Sequence, residues 1–404
     1  MNYKAKKVAI IGYGIEGQDA EKFLKSNSAK VTILDQKDNL NYLNNLDKYD
    51  LIMRSPGVYP YKPEFKNIKV ITPTQVFFEK FKGKTIGVTG TKGKGTTSTL
   101  IYNILKSAGM DVYLAGNIGK PLLGLLPKLT PKSYVVMEMS SFQLIDLDTS
   151  PNISVVLNIT SDHMDWHKNI KEYIEAKKNI VKFQKTSDWA VINNEYKIPK
   201  SFAKETKANI IFFSKKKLDE KYKHDLVLRG KHNLENIAAA VSVAKILNIK
   251  TEIIKKNVKE FKGLEHRLEF VREFAGVKYY NDSFATGPQP TIAAIKSFTE
   301  DETLILGGSD KGLEYEELGK VIDKMKNVKN IILIGQIRNQ IKKHIKAKKI
   351  FDLEFSNMQA IINKAFDITK KDGVVILSPA AASFDMFKDY KDRGNQFKEV
   401  VWNL

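Results

Sequence analysis

The sequence predicts an α/β protein of three domains with mainly parallel β-sheets. Short apolar segments of strand type alternate with amphipathic helical segments along the chain, as in βαβ units. This alternation starts afresh at "KTIGVTG", after residue 82, and again after "GLEHRLE", near residue 264. A chain of 404 residues is also longer than one hydrophobic core normally serves. We therefore expect domains at residues 1–82, 83–264 and 265–404.

The composition excludes several classes of protein. No run of about eighteen apolar residues is present, and a membrane span would need one. The N-terminal "MNYKAKKVAIIGYG" enters a strand pattern at once, unlike a signal peptide. We expect a soluble, cytoplasmic protein with no membrane partner. The absence of cysteine excludes disulfides, thiolate metal sites and a cysteine nucleophile, so a metal ion must bind to oxygen or imidazole.

The chain has a formal net charge of +20, from 66 basic and 46 acidic side chains. This charge raises the hypothesis of a nucleic-acid-binding ATPase. However, the lysines are spread along the whole sequence, without a basic helix or a patch interleaved with aromatic residues. A solvated surface is the simpler interpretation, and we expect no nucleic-acid partner. A basic background would still attract small anionic substrates.

The first domain begins with a glycine-rich turn typical of nucleotide binding. Gly12, Gly14 and Gly17 form G-x-G-x-x-G between a strand and a helix, and Asp35 ends the next strand. Such glycines let the backbone approach a pyrophosphate at the helix N-terminus, while the acid accepts hydrogen bonds from a ribose or base. This predicts a Rossmann-like domain, with Ser55 of "RSPGV" facing the same ligand. The shortness of this domain favours a mononucleotide or nucleotide-diphosphate group as the ligand over the dinucleotide cofactor of a dehydrogenase. The other alternative is that the glycines serve only a tight structural turn.

The segment "GVTGTKGKGTTSTL", residues 87–100, predicts a central P-loop ATPase domain with a mainly parallel sheet. Its backbone N–H groups can cradle phosphate oxygens, and Lys94 can reach the terminal phosphates. The spacing departs from G-x-x-x-x-G-K-[ST], because position 88 is valine. In addition, Gly95 occupies the position that usually supplies a magnesium-binding hydroxyl. We expect Thr96 to supply this oxygen, with Thr97 or water as the alternatives.

Two further strand ends carry candidate metal ligands. Glu138 ends a strongly apolar strand, where a carboxylate is costly to bury unless it meets a cation. A metal ligand is therefore favoured over a structural ion pair. Asp162, His163, Asp165 and His167 follow in "SDHMDWH". They could form a zinc site, but beside a phosphate site Mg²⁺ is the expected ion, and one histidine is enough to help bind it.

These motifs together resemble the Mur ligase family of ATP-dependent amide-forming enzymes. The resemblance includes, in order, T-G-T-x-G-K, E-x-S-S-F-Q-L, N-x-T-x-D-H-x-D and Y-x-x-A-K. The last third adds G-x-H-N-x-x-N, H-R, N-D-S, "LGGSDKG" and "LSPAAASFDMFKDYKDRGNQF". With "GYGIEG", "SPG" and "GNIGKP", the match covers essentially the whole chain. Within this family, the sequence resembles most the branch that joins D-glutamate to UDP-N-acetylmuramoyl-L-alanine.

The resemblance implies a fold and an activity. It implies a C-terminal Rossmann-like domain that binds the amino acid, beside an N-terminal domain that binds the UDP-sugar. The implied enzyme is an ATP-dependent acid–amino-acid ligase that acts through an acyl phosphate. It would serve peptidoglycan precursor synthesis, and hence cell wall biogenesis, cell shape, cell division and the cell cycle. We expect a monomer that uses ATP and two Mg²⁺ ions.

The resemblance also implies site residues. The residues that it implies for ATP are Thr91, Lys92, Gly93, Lys94, Gly95, Thr96, Thr97, Asn233, Asn236, Arg267 and Asp282. Those for the UDP-sugar are Gly12, Tyr13, Gly14, Asp35, Ser55 and Asn117. Those for D-glutamate are Thr286, Lys311, Ser383, Phe384 and Tyr390. The implied catalytic residues are Lys94, Glu138, His163 and Lys177, and the implied metal ligands are Thr96, Glu138, His163 and Lys177.

Individual roles follow from the same resemblance. Lys177 matches a carbamylated lysine, whose anionic form could bind a second Mg²⁺ ion; the alternative is an ordinary lysine on a helix surface. Asn233 and Asn236 match residues at the adenine end of the ATP site. Arg267 would counter phosphate charge and Asp282 would reach the ribose. For the amino acid, Lys311 would pair with a carboxylate.

Three positions depart from the family pattern. Gly95 is similar to the glycine of the related folylpolyglutamate synthases, which makes a folate ligase the competing hypothesis. That branch lacks the N-terminal "GYGIEG" block. Phe284 occupies a position where lysine is frequent, and Tyr390 one where phenylalanine is frequent. These two departures concern the recognition of D-glutamate.

Overall fold

The computed structural model describes residues 2–228, 230 and 232–404. It divides into two compact units. The first comprises Met1–Lys223 and Leu234–Val258, and the second comprises His224–Asn233 and Lys259–Leu404. Within the described residues, two β-sheets belong to the first unit and one belongs to the second. In the same residues, no helix is both long and apolar enough to cross a membrane.

The first sheet contains four parallel strands in the order β2-β1-β3-β4. Its elements are β1 (Lys7–Ile11), α1 (Ile15–Ser26), β2 (Lys30–Leu34), β3 (Leu51–Arg54), β4 (Val70–Ile71) and α2 (Pro73–Lys80). Ile11 pairs with both Leu34 and Arg54, the last residues of the two flanking strands. The residues that follow these three strands therefore meet at one edge of the sheet, where ligands of open parallel sheets usually bind.

The second sheet contains six parallel strands in the order β10-β9-β8-β5-β7-β6. Its strands are β5 (Lys84–Thr89), β6 (Val112–Gly116), β7 (Tyr134–Glu138), β8 (Ile153–Val156), β9 (Trp189–Asn193) and β10 (Asn209–Phe213). The associated helices are α3 (Lys94–Ser107), α4 (Ser141–Leu144), α5 (Ile170–Lys182), α6 (Lys197–Ser201), α7 (Asn233–Ile246) and α8 (Thr251–Glu260). The central strand β5 is buried from Thr85 to Thr89, because helices cover both faces of such a sheet. Its C-terminal end is continuous with the predicted phosphate loop.

The sheet of the second unit has the order β11-β12-β16-β13-β14-β15. Its strands are β11 (Glu269–Phe274), β12 (Val277–Asn281), β13 (Glu302–Gly307), β14 (Val328–Ile334), β15 (Lys349–Asp352) and β16 (Val374–Leu377). The helices are α9 (Pro288–Ile295), α10 (Glu316–Lys324), α11 (Arg338–Lys342), α12 (Met358–Ile368) and α13 (Tyr390–Trp402). All pairs are parallel except the hairpin of β11 and β12. Ala275 and Gly276 join these two strands with φ values of 48° and 79°, as a two-residue hairpin turn of type I′ requires.

The structure confirms the predicted α/β class with mainly parallel sheets. The apolar strand-type segments of the sequence coincide with ten strands, which are β1, β2, β3, β5, β7, β8, β9, β13, β14 and β16. The strands not identified were β4, β6, β10, β11, β12 and β15; all but β12 lie at a sheet edge. The predicted boundaries near residues 82 and 264 fall between α2 and β5, and between α8 and β11. The two compact units group the first two sheets together, so the three-domain division stays a prediction.

Candidate active site

A pocket of about 630 Å³ lies in the first unit, at the C-terminal edge of the first sheet. It is lined by all six residues predicted to bind the UDP-sugar: Gly12, Tyr13, Gly14, Asp35, Ser55 and Asn117. Three of them directly follow β1, β2 and β3, which explains why residues far apart in sequence meet here. The pocket is also lined by Lys37, Ser140 and Phe142.

The glycine-rich turn of this pocket is closely packed. Gly12 has a φ of +83°, and a Cβ atom there would lie 2.9 Å from Val58 Cγ2. The Ser55 hydroxyl donates to the Gly12 carbonyl oxygen at 2.6 Å. At Gly14, a Cβ atom would meet nothing within 4 Å, so that backbone borders open space. The turn is therefore fixed on its Ser55 side and accessible at Gly14, as backbone recognition of a ligand requires.

Asp35 is anchored by two backbone N–H groups. Tyr13 N donates to Asp35 Oδ2 at 2.6 Å, and Lys37 N donates to Oδ1 at 3.0 Å. The Lys37 N–H and then the Tyr13 N–H lower the pKa of Asp35 below its usual value, because both stabilise the carboxylate. The Asp35 carboxylate thus stays ionised at neutral pH, with lone pairs left to accept further hydrogen bonds.

Asn117 connects this pocket with the end of β7. Its side chain lines the pocket, and its Nδ2 donates to Glu138 Oε1 at 3.1 Å. Glu138 is 5% exposed and pairs in register with Val88 of the neighbouring β5, which leads into the phosphate loop. The predicted UDP-sugar site and a predicted metal ligand are therefore one hydrogen bond apart.

The phosphate loop joins β5 to α3. Gly93 has a φ of +88° and caps α3, and a Cβ atom there would lie 2.3 Å from Asn236 Oδ1. Only glycine allows both the backbone conformation and the close approach of Asn236. Asn236 Oδ1 also accepts a hydrogen bond of 3.2 Å from Thr97 Oγ1. Asn236 thus contacts the phosphate loop, and its place at the adenine end of the site stays a prediction.

The two candidate hydroxyls of α3 differ in their surroundings. Thr97 is fully buried, and its hydroxyl is engaged with Asn236. Thr96 is partly exposed, and its hydroxyl has no hydrogen-bond partner within the part of the chain that is described. Gly95 is buried between Lys94 and Thr96 in the first turn of α3. This arrangement supports Thr96 as the source of the oxygen that Gly95 lacks.

The other loop residues have distinct positions. Lys94 Nζ donates to the Gly90 and Thr91 carbonyl oxygens at 3.1 and 3.0 Å, so it curls over the loop. Thr91 is buried; its hydroxyl donates to Thr160 O at 3.0 Å, and its N–H donates to Asn158 O. Thr91 therefore supports the loop from within. Lys92 is exposed on its outer side.

Lys177 is a lysine in the apolar stripe of a helix. On α5 it is 1% exposed and shares the buried face with Tyr173, Ala176, Ile180 and Val181. Its Nζ donates to Gly90 O at 3.0 Å and to Thr89 Oγ1 at 3.3 Å, directly below the phosphate loop. Burial, and then repulsion from Lys94, lower the pKa of Lys177 well below its usual value. The alternative of an ordinary surface lysine is wrong.

The two histidines of "SDHMDWH" have different environments. His167 is buried; its Nδ1 lies 3.2 Å from Glu172 Oε1 and its Nε2 lies 2.8 Å from Ser141 Oγ, so both ring nitrogens are engaged. Burial lowers the pKa of His167. His163 is exposed, with a φ of +56°, and its ring contacts Phe142 at 4.9 Å between centroids. His163 is therefore the histidine that can bind a metal ion, and His167 supports the loop.

The donor set fits Mg²⁺ better than zinc. Among residues 2–228, 230 and 232–404, no three His, Asp or Glu side chains gather as a preformed metal site. Glu138, His163 and the Thr96 hydroxyl offer separate oxygen and imidazole donors near the phosphate loop. Mg²⁺ keeps several waters and takes substrate phosphate oxygens as ligands, so such a sparse set suits it, whereas zinc favours three or four protein ligands.

The second unit contains the remaining candidate residues. The Arg267 guanidinium carbon lies 3.9 Å from the centre of the Phe284 ring, and Phe284 packs edge-on against Tyr390 at 5.0 Å. Asp282 is buried; Ser378 Oγ donates to its Oδ2 at 2.7 Å and Leu268 N donates to its Oδ1 at 3.0 Å. Burial raises the pKa of Asp282 to about 7. Arg267 and Tyr390 thus form one cluster with Phe284.

The candidate residues for the amino acid lie on loops after neighbouring strands. Lys311 follows β13 and is exposed, whereas Ser383 and Phe384 follow β16. Ser309 Oγ donates to Asp385 Oδ1 at 3.1 Å and thereby ties the two loops together. Phe384 is 71% exposed and Ser383 is 2% exposed. Thr286, another candidate for the amino acid, is partly exposed. Asn233, a candidate for ATP at the start of α7, donates its N–H to Gly230 O at 2.9 Å.

Arg393 organises these loops, and sequence reasoning missed it. It is fully buried on α13 and donates to the carbonyl oxygens of Ala381, Ala382 and Ser283 at 2.9–3.1 Å. Burial lowers the pKa of Arg393 to about 10. Asp385 was missed as well. Both lie inside the quoted "SFDMFKDYKDRGNQF", so the signal was present, but a role in supporting carbonyl groups leaves no pattern of its own.

Two protein-family models match segments of this chain. A model of the Mur ligase middle domain matches residues 88–244, and one described as the Mur ligase glutamate ligase domain matches residues 266–381. These segments contain the phosphate loop, Glu138, His163 and Lys177 in the first case, and Arg267, Asp282 and Lys311 in the second. The chain belongs to the Mur ligase family.

Curated relatives extend the match over nearly the full length. The UDP-N-acetylmuramoylalanine–D-glutamate ligase of Acetivibrio thermocellus is 37% identical, over 98% of this chain and 96% of the relative. The enzyme of that name from Clostridium tetani is 38% identical, over 99% and 97%. Among solved structures, MurF ligase from Thermotoga maritima in complex with ADP has a TM-score of 0.62 at 20% identity, over 99% of this chain and 96% of that chain. At that identity, the structural likeness establishes the fold alone.

Proposed function

We propose that this protein is an ATP-dependent ligase that joins the amine of D-glutamate to the free carboxylate of UDP-N-acetylmuramoyl-L-alanine. The observation that carries this proposal is the pocket lined by the six residues predicted for the UDP-sugar, linked by Asn117 to Glu138. The names of the relatives at 37% and 38% identity support the choice of substrates. The protein would act as a cytoplasmic monomer in peptidoglycan precursor synthesis.

The work would be divided among three domains. Residues 1–82 bind the UDP-sugar, residues 83–264 bind ATP, and residues 265–404 bind the amino acid. In the first, the Gly12–Gly14 turn and Asp35 receive the nucleotide diphosphate, because the backbone is open at Gly14. In the second, the loop from Thr91 to Thr97 cradles the ATP phosphates.

A carboxylate is a poor electrophile at neutral pH and must be activated. The substrate carboxylate attacks the γ-phosphorus of ATP, ADP leaves, and an acyl phosphate forms. The amine of D-glutamate then attacks the acyl carbon; phosphate leaves and the amine loses a proton. Lys94, at the phosphate loop, offsets repulsion between the carboxylate and the phosphates, so catalysis rests on positioning and electrostatics. No side chain acts as a covalent nucleophile.

Metal binding would involve Thr96, Glu138, His163 and Lys177. Two Mg²⁺ ions would supply neutralisation of phosphate charge. Lys177 becomes a ligand only after carbamylation, in which its neutral amine adds to carbon dioxide and loses a proton. Its complete burial and the absence of an ion-pair partner among the described residues favour a modified, anionic side chain beside the loop. Incorporation of ¹³C-bicarbonate, read as a carbamate signal that Lys177→Met lacks, tests this modification.

Recognition of D-glutamate would fall to the second unit. Lys311 is exposed and can pair with a carboxylate of the amino acid, while the loop of Ser383 and Phe384 is fixed by Arg393. Thr286 and Tyr390 complete the predicted set. Arg267 packs the face of its guanidinium against Phe284, and its N–H edge would bind phosphate oxygens.

The first experiment measures phosphate release from Mg²⁺-ATP in the presence of UDP-N-acetylmuramoyl-L-alanine, with and without D-glutamate, and identifies the product by mass. Release together with the addition of one glutamyl residue, only when both substrates are present, is the expected result. Lys94→Met is the matched control, because it keeps the aliphatic stem and removes the charge. Turnover with a folate, or with another UDP-muramoyl peptide, in place of this pair would overturn the proposed substrates.

A further inference from the structure

Glu16 is an acidic residue in the wall of the predicted UDP-sugar pocket. It is the second residue of α1, inside the glycine-rich turn, and it lines the pocket. Its Oε1 accepts a hydrogen bond of 2.6 Å from Gln143 Nε2. Its Oε2 is buried and has no hydrogen-bond partner in the described parts of the chain. An acid at this position faces the place where a diphosphate is expected, although like charges repel.

The direction of the Gln143 amide determines where a proton on Glu16 must lie. Gln143 Oε1 accepts hydrogen bonds from Ser140 N at 3.0 Å and from Ser140 Oγ at 3.3 Å, as part of the capping box of α4. The Nε2 group must therefore face Glu16 and donate to it. Because Glu16 Oε1 is used as an acceptor, a proton on this carboxyl group resides on Oε2.

The charges around Glu16 favour the neutral acid. Burial and, to a smaller extent, the nearby Asp19 on α1 raise the pKa of Glu16, whereas Gln143 and Arg54 lower it, and the resulting pKa is about 7. Arg54 is itself bound to Asp146 Oδ2 at 2.7 Å and to the Ser55 carbonyl oxygen at 3.1 Å. Its charge is thus shared with another carboxylate and compensates Glu16 only in part.

We propose that binding of a nucleotide-diphosphate ligand in this pocket is coupled to uptake of one proton by Glu16. The inference rests on the proposed UDP-sugar site. A diphosphate brings negative charge beside the carboxyl group, so the ionised form of Glu16 is repelled by the ligand and the neutral form is not. The ligand therefore binds the protonated protein more tightly, and by linkage it draws a proton onto Glu16.

The sign and size of the effect follow from this linkage. Affinity is highest when Glu16 is protonated in the free protein and falls as the pH rises above about 7. Uptake of one proton limits the slope to about tenfold per pH unit. Two charges several ångströms apart near a protein surface interact strongly enough for a total change on the order of tenfold or more. A diphosphate diester has no group of its own that titrates near neutrality.

Calorimetric titration of the full chain with UDP-N-acetylmuramoyl-L-alanine, without ATP, tests the proposal. Titrations in two buffers of different ionisation enthalpy give the number of protons taken up per ligand. For the unmodified protein we expect an uptake of roughly half a proton or more at about pH 8, and a Kd that rises at least about tenfold from about pH 6.5 to 8.5. Glu16→Gln keeps an acceptor for Gln143 but cannot ionise, and it should show neither effect.

Two further variants keep the outcome interpretable. Asp19→Asn removes the neighbouring acid and should retain the proton uptake, whereas Glu16→Thr replaces Glu16→Gln if the latter does not fold. Binding without proton uptake in the unmodified protein, or equal uptake in Glu16→Gln, overturns the inference and leaves the proposed function intact. No binding of the UDP-sugar at any pH overturns the proposed function instead.

Discussion

Replacing Glu302 by glutamine is expected to stabilise the second unit increasingly as the pH rises. Glu302 is the first residue of β13 and is fully buried. Its Oε1 accepts a hydrogen bond from Asn327 Nδ2, but its Oε2 has no partner among the described residues. Burial, with a smaller contribution from Glu300, raises the pKa of Glu302 from 4.5 to about 9.

The magnitude follows from linkage. Between the unfolded pKa of 4.5 and the folded pKa of about 9, the unfolded chain is ionised at Glu302 and the folded protein is protonated. Stability is therefore lost as the pH rises, by about 1.36 kcal/mol per pH unit. From about pH 5 to 8 the free energy of unfolding falls by about 4 kcal/mol through Glu302, and the glutamine variant does not show this loss. A glutamine amide would place a donor at the unpartnered Oε2 position, a cost that is the same at every pH.

The assay compares thermal unfolding of the two full-length proteins between about pH 5 and 8. The difference in Tm in favour of Glu302→Gln should grow by roughly 10 °C over this range, because about 1 kcal/mol corresponds to about 2–4 °C for a unit of this size. All other titrating groups are common to both proteins and cancel. Glu314→Gln, at an exposed site in the same unit, is the control. Parallel Tm curves for Glu302→Gln and the unmodified protein would refute the reasoning.

Three further predictions concern the candidate site. Thr96→Val should weaken Mg²⁺-dependent ATP binding by about tenfold, whereas Thr97→Val should mainly lower stability by about 1 kcal/mol through loss of the hydrogen bond to Asn236. Nucleotide titrations with and without Mg²⁺ distinguish the two variants, and an equal loss of ATP affinity in both would contradict the assignment to Thr96. Lys177→Met keeps the buried aliphatic stem but removes the amine, so kcat should fall by at least about a hundredfold while the circular dichroism spectrum stays unchanged. A smaller fall in kcat would argue against a metal-binding role. Phe284→Leu removes the cation–π contact of Arg267, worth about 1 kcal/mol, and should raise the KM for ATP about fivefold with little effect on kcat; an unchanged KM would show that Phe284 does not position Arg267.

Sequence motifs and side-chain contacts contributed differently to the site. All six residues assigned to the UDP-sugar from their motif line one pocket, because each follows a strand or a turn whose end is fixed by the parallel sheet. Asn236 contacts Gly93 and Thr97 of the phosphate loop, which the motif did not predict, and its place at the adenine end of the site stays a prediction. A motif position gives the neighbourhood of such a residue, whereas its partner depends on how α7 packs.

The strands show the same division. Central strands such as β5 and β13 are buried along nearly their whole length, and so they have the continuous apolar runs that a sequence pattern reveals. The edge strand β15 is largely exposed and has only two apolar residues, whereas the edge strand β10 was missed although residues 210–213 are all apolar. The β11–β12 hairpin was missed because its turn is Ala275–Gly276, a pair less typical of such turns than Asn-Gly.

The sequence by itself determined the α/β class, the phosphate loop, the ends of the main strands and membership of a ligase family. These depend on local spacing of glycines, apolar residues and a few polar side chains, which the chain displays directly. Only the tertiary structure decided that Lys177 is buried below the phosphate loop and that His167 is buried while His163 is exposed. It also decided that Glu16 has a buried oxygen with no partner among the described residues. Burial and pKa are set by contacts between residues distant in sequence, and such contacts exist only once the sheets and helices have packed.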